Sequence, residues 1–496
     1  MTVPLAPARN DVARVRTTSI SIYVGRYLRW LGVALAISAT PSVAFAHAHL
    51  VKSAPAVGAH LSVSPTLIQL WFSEAAEATM TTITVMGANG TQFRIGTVSV
   101  DASDPLLLVA SVGLAGPSLT AGKYTVTWRT VAKDDGHPSQ GTFRFVVDSN
   151  AATVATAPAV TGMTTVPRDS ARVADVTIRA MDLEAPSIIF ARWLNFLAII
   201  IVVGVVAFRM LVIPGVVQNG SEHLASFANR ASVRAAVVGL IAGVTTIIAA
   251  VGRLYAQQAV IGQGVSIATI LDSSWGHVWL LQIVIAVIAC IAFAVARSSH
   301  GPDRDNRAWI VAMAAALLLG ATPSLSGHAI AAPEHRNISV ALDMLHVIAA
   351  GGWLGGLLAV AVVGVPVALA TGSDEEAVGS MSLIASVVNA FSPIALTFAA
   401  TVVASGAVAA WLRVGSFAQL FHSTYGTVLL IKLGIVVLVL AGGAFNWLRM
   451  RGALSHHDSA SSTIGAFRRS AWLELAAGVL VIAATAVLVA AQPPIH

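Results

Sequence analysis

Residues Ser187–Val212 read SIIFARWLNFLAIIIVVGVVAFRMLV. A helix needs about 20 mostly apolar residues to cross a bilayer core, and this stretch has them. Seven further runs of the same kind follow, near 233–253, 277–296, 308–326, 338–369, 383–411, 426–448 and 470–491. Together they predict an all-α eight-helix transmembrane bundle over residues 187–492. Composition agrees. The chain is 56% hydrophobic and only 10% charged, with a mean hydropathy of +0.79, whereas soluble domains carry roughly 25% charged residues.

The charge is arginine at the edges of these runs, not a basic patch of the nucleic-acid kind, so no nucleic-acid partner is expected. Arg209, Arg230, Arg234, Arg297, Arg304, Arg307, Arg449, Arg451, Arg468 and Arg469 fall in one set of loops. Little beyond Arg253, Arg336 and Arg413 falls in the other. The positive-inside rule then predicts eight spans with both mature termini outside. Cys290 is the only cysteine and lies in an apolar run. A disulfide within the chain is thereby excluded, and thiolate is not the expected metal ligand.

Upstream of the spans the chain is different. Arg9, Arg14, Arg16, Arg26 and Arg29 precede an apolar stretch from Leu31 to Phe45, which closes on Ala44-Phe45-Ala46. A basic region, an apolar region and small residues before a cut describe a secretory signal peptide over residues 1–46. Residues 47–148 then alternate in short runs: Leu67–Phe72, Thr82–Val85, Leu106–Val109, Tyr124–Trp128 and Thr142–Val147. Turn residues separate them, at Ala88-Asn89-Gly90, Asp104-Pro105 and Ala121-Gly122. That spacing predicts an all-β sandwich or small Greek-key barrel. Residues 149–186, rich in Ala, Thr, Val and Ser, read as a flexible linker.

Cleavage after Ala46 makes His47 the new amino terminus, followed by Ala48 and His49. A terminal histidine offers its amine and its imidazole Nδ1 to one ion, and such nitrogen donors suit Cu(II). Between the last two predicted strands lies Asp134-Asp135-Gly136-His137-Pro138. In extended backbone, Asp135 and His137 would project to one face and offer a carboxylate and an imidazole together. A nitrogen-rich terminus and an Asp-x-His turn in one small exported domain make a coherent N/O copper site.

Taken in order, five motifs resemble the CopC family of periplasmic copper-binding proteins. They are His47-Ala48-His49-Leu50, Ser53-Ala54-Pro55-Ala56-x-Gly58, Phe72-Ser73-Glu74, Tyr124-Thr125-Val126-x-Trp128-Arg129 and Asp135-Gly136-His137-Pro138-x-x-Gly141. The resemblance implies a β-sandwich that binds Cu(II) through His47, Asp135 and His137, with His49 as a further ligand and Glu74 towards an axial position. Some members carry a methionine-rich Cu(I) site as well. Met80 and Met86 are not clustered in this sequence, so none is expected here.

Polar residues inside the spans are few, and ionisable groups in hydrocarbon usually face a bundle interior or a cavity. Asp343 and His346, three apart, share one face of the fifth helix, ahead of Trp353-Leu354-Gly355-Gly356. Ser326-Gly327-His328-Ala329 ends the fourth helix, His277 opens the third, His335 lies between the fourth and fifth, and His422 precedes the seventh. Lys432 lies about as deep in the seventh helix as Asp343 does in the fifth, so the two are expected to pair, or Lys432 to hold a positive gate. His328, Asp343, His346, Lys432 and His277 form the candidate membrane path. The His456-His457-Asp458 loop on the inner side reads more plainly as a solvated loop than as an exit ligand.

These motifs, with Phe391-Ser392-Pro393, Tyr425-Gly426 and Asn446, resemble the CopD family of copper-resistance membrane proteins. CopC followed by CopD in one chain resembles the fused CopC–CopD copper-resistance and copper-transport family (YcnJ-type). The resemblance implies a non-enzymatic copper transporter of the cytoplasmic (inner) membrane, multi-pass, with its CopC-like domain on the extracytoplasmic side. Expected partners are the copper ion, the lipid bilayer and periplasmic or cytoplasmic copper chaperones. Two other readings stay open: a membrane-bound copper/haem oxidoreductase using His328 and His346, and a tethered copper buffer without transport.

Overall fold

The computed structural model describes residues 48–112, 119–133, 136–152, 186–217, 222–261, 265–298, 302–327, 336–371, 377–414, 417–453 and 460–490. The expected signal peptide, most of the expected linker, and His47, Asp135, His328, His335 and the His456-His457-Asp458 stretch lie outside the described residues.

The first domain is a two-sheet sandwich. One sheet has the order β1 (Leu50–Ala54), β3 (Leu67–Phe72), β7 (Leu107–Ser111), β6 (Ser99–Val100). The other runs β2 (His60–Val63), β9 (Pro138–Ala152), β8 (Gly122–Val131), β4 (Thr82–Gly87), β5 (Gln92–Phe93). All pairings between these strands are antiparallel except β2 with β9. The alternation seen in the sequence sets the core. Ile68, Leu70 and Phe72 of β3, Tyr124, Val126 and Trp128 of β8, and Phe143, Phe145 and Val147 of β9 are all buried, as a period of two requires. The Trp128 ring meets Phe72 edge-on at 5.2 Å. Across the ladder it lies against Gly141, where a Cβ would stand 2.7 Å from the ring. β1, β2, β5 and β6, too short or too polar to alternate clearly, have no counterpart among the sequence-predicted strands. β9 runs to Ala152, a few residues into the stretch read as linker.

Among the described residues eight helices are long and apolar enough to cross a membrane. In order they are Pro186–Val217, Leu224–Ile261, Ser274–Ser298, Asp305–Leu325, Arg336–Thr371, Ser382–Val414, Tyr425–Ala444 and Arg469–Ala490. Each matches one predicted run. Short helices at Ile267–Leu271 and Phe417–His422 precede the third and seventh spans.

The first and fifth spans form the hub. A Cβ on Gly204 would fall inside the backbone of Gly355, and one on Gly351 would strike Val203. Gly352 and Gly356 likewise receive the rings of Phe398 and Phe391 from the sixth span. Small residues let helix backbones approach closely where lipid supplies no hydrophobic drive between them. Both helices widen here into π turns, at Phe208–Val212 in the first span and at Gly351–Gly355 and Val360–Gly364 in the fifth. Such single-turn bulges re-aim the side chains beyond them.

The sandwich rests on the end of the bundle where the second span finishes and the third begins. Met80 and Val131 pack with Leu254, Ile261, Val265, Ile270 and Trp275.

Replacing Gly355 by Val should separate the first and fifth spans and destabilise the membrane domain by about 1–3 kcal/mol, the usual cost of overpacking. Thermal unfolding in detergent should show a lowered Tm, while Gly434→Ala, where a Cβ meets nothing within 4 Å, should leave it unchanged.

Candidate metal centre and membrane polar cluster

Three motifs singled out in the sequence are knit together at one end of the sandwich by hydrogen bonds of the backbone and of the Ser73 hydroxyl. The Ser73 amide donates to the His49 carbonyl at 2.8 Å, and the His49 amide donates to Ser73 Oγ at 3.0 Å. The chain after Glu74 then pairs with the end of β8. The Lys133 amide donates to the Ala75 carbonyl at 2.9 Å and the Glu77 amide to the Val131 carbonyl at 2.8 Å. The loop that follows folds back, with the Ala132 amide donating to the His137 carbonyl at 2.9 Å. His49, Glu74 and His137 are therefore carried by adjoining segments of one surface. His137 is 2% exposed, and Ala48, next to the expected terminus, is fully buried.

The other two expected ligands, His47 and Asp135, lie outside the described residues, and among the described residues no three His, Cys, Asp or Glu side chains gather as a complete metal site. Gly136 has φ +74°, in the left-handed region, so the backbone turns at this residue and the extended-chain alternation does not carry through it. A glycine at this point gives the turn without a Cβ penalty.

Burial lowers the His49 imidazole from its ordinary pKa, because desolvation disfavours the charged ring. The neutral ring is the form that ligates copper. In the copper-free chain the unfolded state takes up the proton first as pH falls below about 6.5, so stability is full above that value and declines beneath it. Hydrogen exchange in β1 and β3, corrected for intrinsic rates, should therefore quicken between pH 7 and pH 5. His49→Gln should flatten that dependence.

The second cluster lies among the fifth, sixth and seventh spans. Arg413 Nη2 donates to Asp343 Oδ2 at 2.6 Å, and Arg413 also hydrogen-bonds Tyr425. The expected Asp343–Lys432 pair is thus replaced. Arg413, counted in the sequence among loop charges, folds back along its helix end and takes the carboxylate, while Lys432 faces the same cluster from the seventh span. Sequence position alone hid this, since a long side chain in the last helical turn can reach either way.

His346 sits one turn beyond Asp343. Its Nδ1 lies 3.0 Å from Ser405 Oγ, and its ring lies against Gly406, where a Cβ would approach Cε1 to 3.0 Å. Ser405 has one hydroxyl proton and donates it to the Thr401 carbonyl at 2.7 Å. With that proton placed on the Thr401 carbonyl, the His346 contact is made by an Nδ1–H donor, the tautomer that keeps the lone pair on Nε2. A second partner that fixes the tautomer in this way is the usual support of a metal-binding histidine. His277 is not part of this cluster. It stands exposed in the first turn of the third span, which packs on the second and fourth spans. His422, at the end of its short helix, is exposed as well.

Arg413→Gln should strand the Asp343 carboxylate among helices and destabilise the bundle by about 2–3 kcal/mol. The double variant Asp343→Asn with Arg413→Gln should recover most of the lost Tm in detergent.

Comparison with known proteins places these two regions. The CopC domain family matches residues 50–148. The N-terminal domain of copper resistance protein D-like proteins matches residues 181–336, and copper resistance protein D matches residues 385–488. Asp343 and His346 fall between the two membrane matches. The copper transport protein CutJ of Bacillus subtilis is 25% identical over 85% of this chain and 71% of its own length. Protein YobA of Escherichia coli K12 is 33% identical over 22% of this chain and 83% of its own. The crystal structure of CopC from Methylosinus trichosporium OB3b is 28% identical, covering 21% of this chain and 94% of that one with a TM-score of 0.18. With a CopC sandwich ahead of a CopD membrane domain in a single polypeptide, the chain belongs to the fused CopC–CopD copper-resistance family.

Proposed function

We propose that this protein captures Cu(II) outside the cytoplasmic membrane and passes copper across it. The observation that carries the reading is the joining of His49, the Phe-Ser-Glu strand end and the His137 loop on one surface of a sandwich, ahead of eight spans that hold an oriented histidine. His47, as a free amino terminus, would add its amine and Nδ1, and Asp135 a carboxylate oxygen. Such N and O donors favour Cu(II) over Cu(I). Glu74, half-buried just after β3, is the candidate axial donor.

The linker keeps the sandwich at high effective concentration over the bundle. His346 Nε2 is the group in the membrane best prepared to receive the ion, and Asp343 is the carboxylate beside it. Arg413 holds that carboxylate in the metal-free state. A cation entering the cluster therefore replaces one positive partner by another and avoids exposing a bare charge to lipid. Arginine loops on the opposite side and the seat of the sandwich at the second-to-third span connection support the extracytoplasmic placement.

Radiocopper flux into proteoliposomes of known orientation tests the reading. His346→Ala should reduce flux at least tenfold and leave Cu(II) binding by the sandwich unchanged, and Ser405→Ala should fall between that variant and the wild type. Flux unaltered by His346→Ala would remove the membrane path.

A further inference from the structure

The loop carrying His137 is gripped by the membrane domain. The Gly136 carbonyl accepts a hydrogen bond from Gln257 Nε2 at 2.5 Å, and the Gln257 side chain is itself buried. On the other side of the same residue, a Cβ on Gly136 would lie 2.6 Å from Cδ1 of Trp275, so the indole occupies the space that only glycine leaves. Trp275 is in turn backed by the Arg253 guanidinium, 5.6 Å from its ring, and is 5% exposed. A third contact fixes the sandwich beside the loop. Arg129 Nη1 donates to the carbonyls of Val260 and Ile261 at 2.9 and 3.3 Å, while Gln140 Oε1 accepts from Arg129 Nη2 at 3.0 Å. These carbonyls lie in the last turn of the second span, at the negative end of its dipole, where a cation is well placed.

Gly136 stands between Asp135 and His137, and it is the residue that the second and third spans contact. We propose that Gln257 and Trp275 form a receiving seat for the copper loop, from which the bound ion is released towards the bundle while shielded from bulk water. The proposal rests on reading the sandwich as the Cu(II) capture domain. Three observations support it. The contact is directional, through a buried amide. It is shaped, since any residue larger than glycine at position 136 meets the indole. It also falls on the ligand loop itself, beside the Met80, Val131 and Arg129 contacts that rest the sandwich on the bundle. Neither Gln257 nor Trp275 is an expected copper ligand, so both act by positioning the loop.

The full chain in nanodiscs, loaded with Cu(II) and then mixed with excess EDTA, provides the test. The rate of copper loss is read from the Cu(II) electron paramagnetic resonance signal, and hydrogen exchange is followed over residues 138–146 and 254–261. Trp275→Ala with Gln257→Ala should lose copper about tenfold faster than the wild type and exchange faster in both segments. Trp275→Phe, which keeps a ring against Gly136, should stay close to the wild type. Gln257→Glu keeps the size of the side chain but sets a carboxylate against the Gly136 carbonyl, so it should unseat the loop even where the double variant folds poorly. Equal stripping rates in the wild type, the double variant and Gln257→Glu would overturn the seat. So would faster exchange with no change in stripping. Copper flux measured on the same samples separates the two proposals. A slowly stripped, seated loop in a chain that moves no copper would defeat transport and leave the seat standing.

Discussion

Two facing glycines, Gly204 and Gly355, set the geometry of the membrane domain. Their backbones touch where any Cβ would collide, and π turns lie close by, after Gly204 in the first span and at and beyond Gly355 in the fifth. The fifth span carries Asp343 and His346 before this contact and Phe-lined glycines within it. Once the first span fixes its rotation, these two side chains face the sixth and seventh spans, where Arg413, Ser405, Tyr425 and Lys432 are found. Changing the packing at residue 355 would re-aim a histidine more than two turns away.

Polar groups in the bundle are arranged in pairs that cross between helices. Asp343 with Arg413 and His346 with Ser405 join the fifth and sixth spans. Gln282 with Asn195 at 2.6 Å joins the third and first. Arg209 with Asp305 at 3.1 Å joins the first and fourth. In lipid an unpaired polar group costs far more than in water, so each pair also specifies which helices are neighbours.

The architecture was legible because its signals are periodic. Eight apolar runs became eight spans, and the strands with clean alternation, β3, β4, β7, β8 and β9, were found within a few residues, though β8 and β9 extend well beyond their predicted cores. β1, β2, β5 and β6 escaped because short or edge strands carry little alternation. The motifs of the proposed metal-binding surface were legible, but the turn at Gly136 was not, since a single left-handed residue leaves no periodic trace. Arg413 and Arg253 were hidden for another reason. Both were counted as loop charges by their place at helix ends, yet one reaches back to Asp343 and the other lies over Trp275. Gln257 gave no sign at all, and Trp275 none of this contact, because a contact between domains distant in sequence is written in neither one alone.

Arg129 has a mechanical consequence. It sits on β8, in the middle of the second sheet, and its guanidinium holds the last carbonyls of a helix that runs through the membrane. A rigid plate of hydrogen-bonded strands is thereby bolted to the tip of a long rod. A tilt of that rod by a few degrees would therefore carry the whole plate with it.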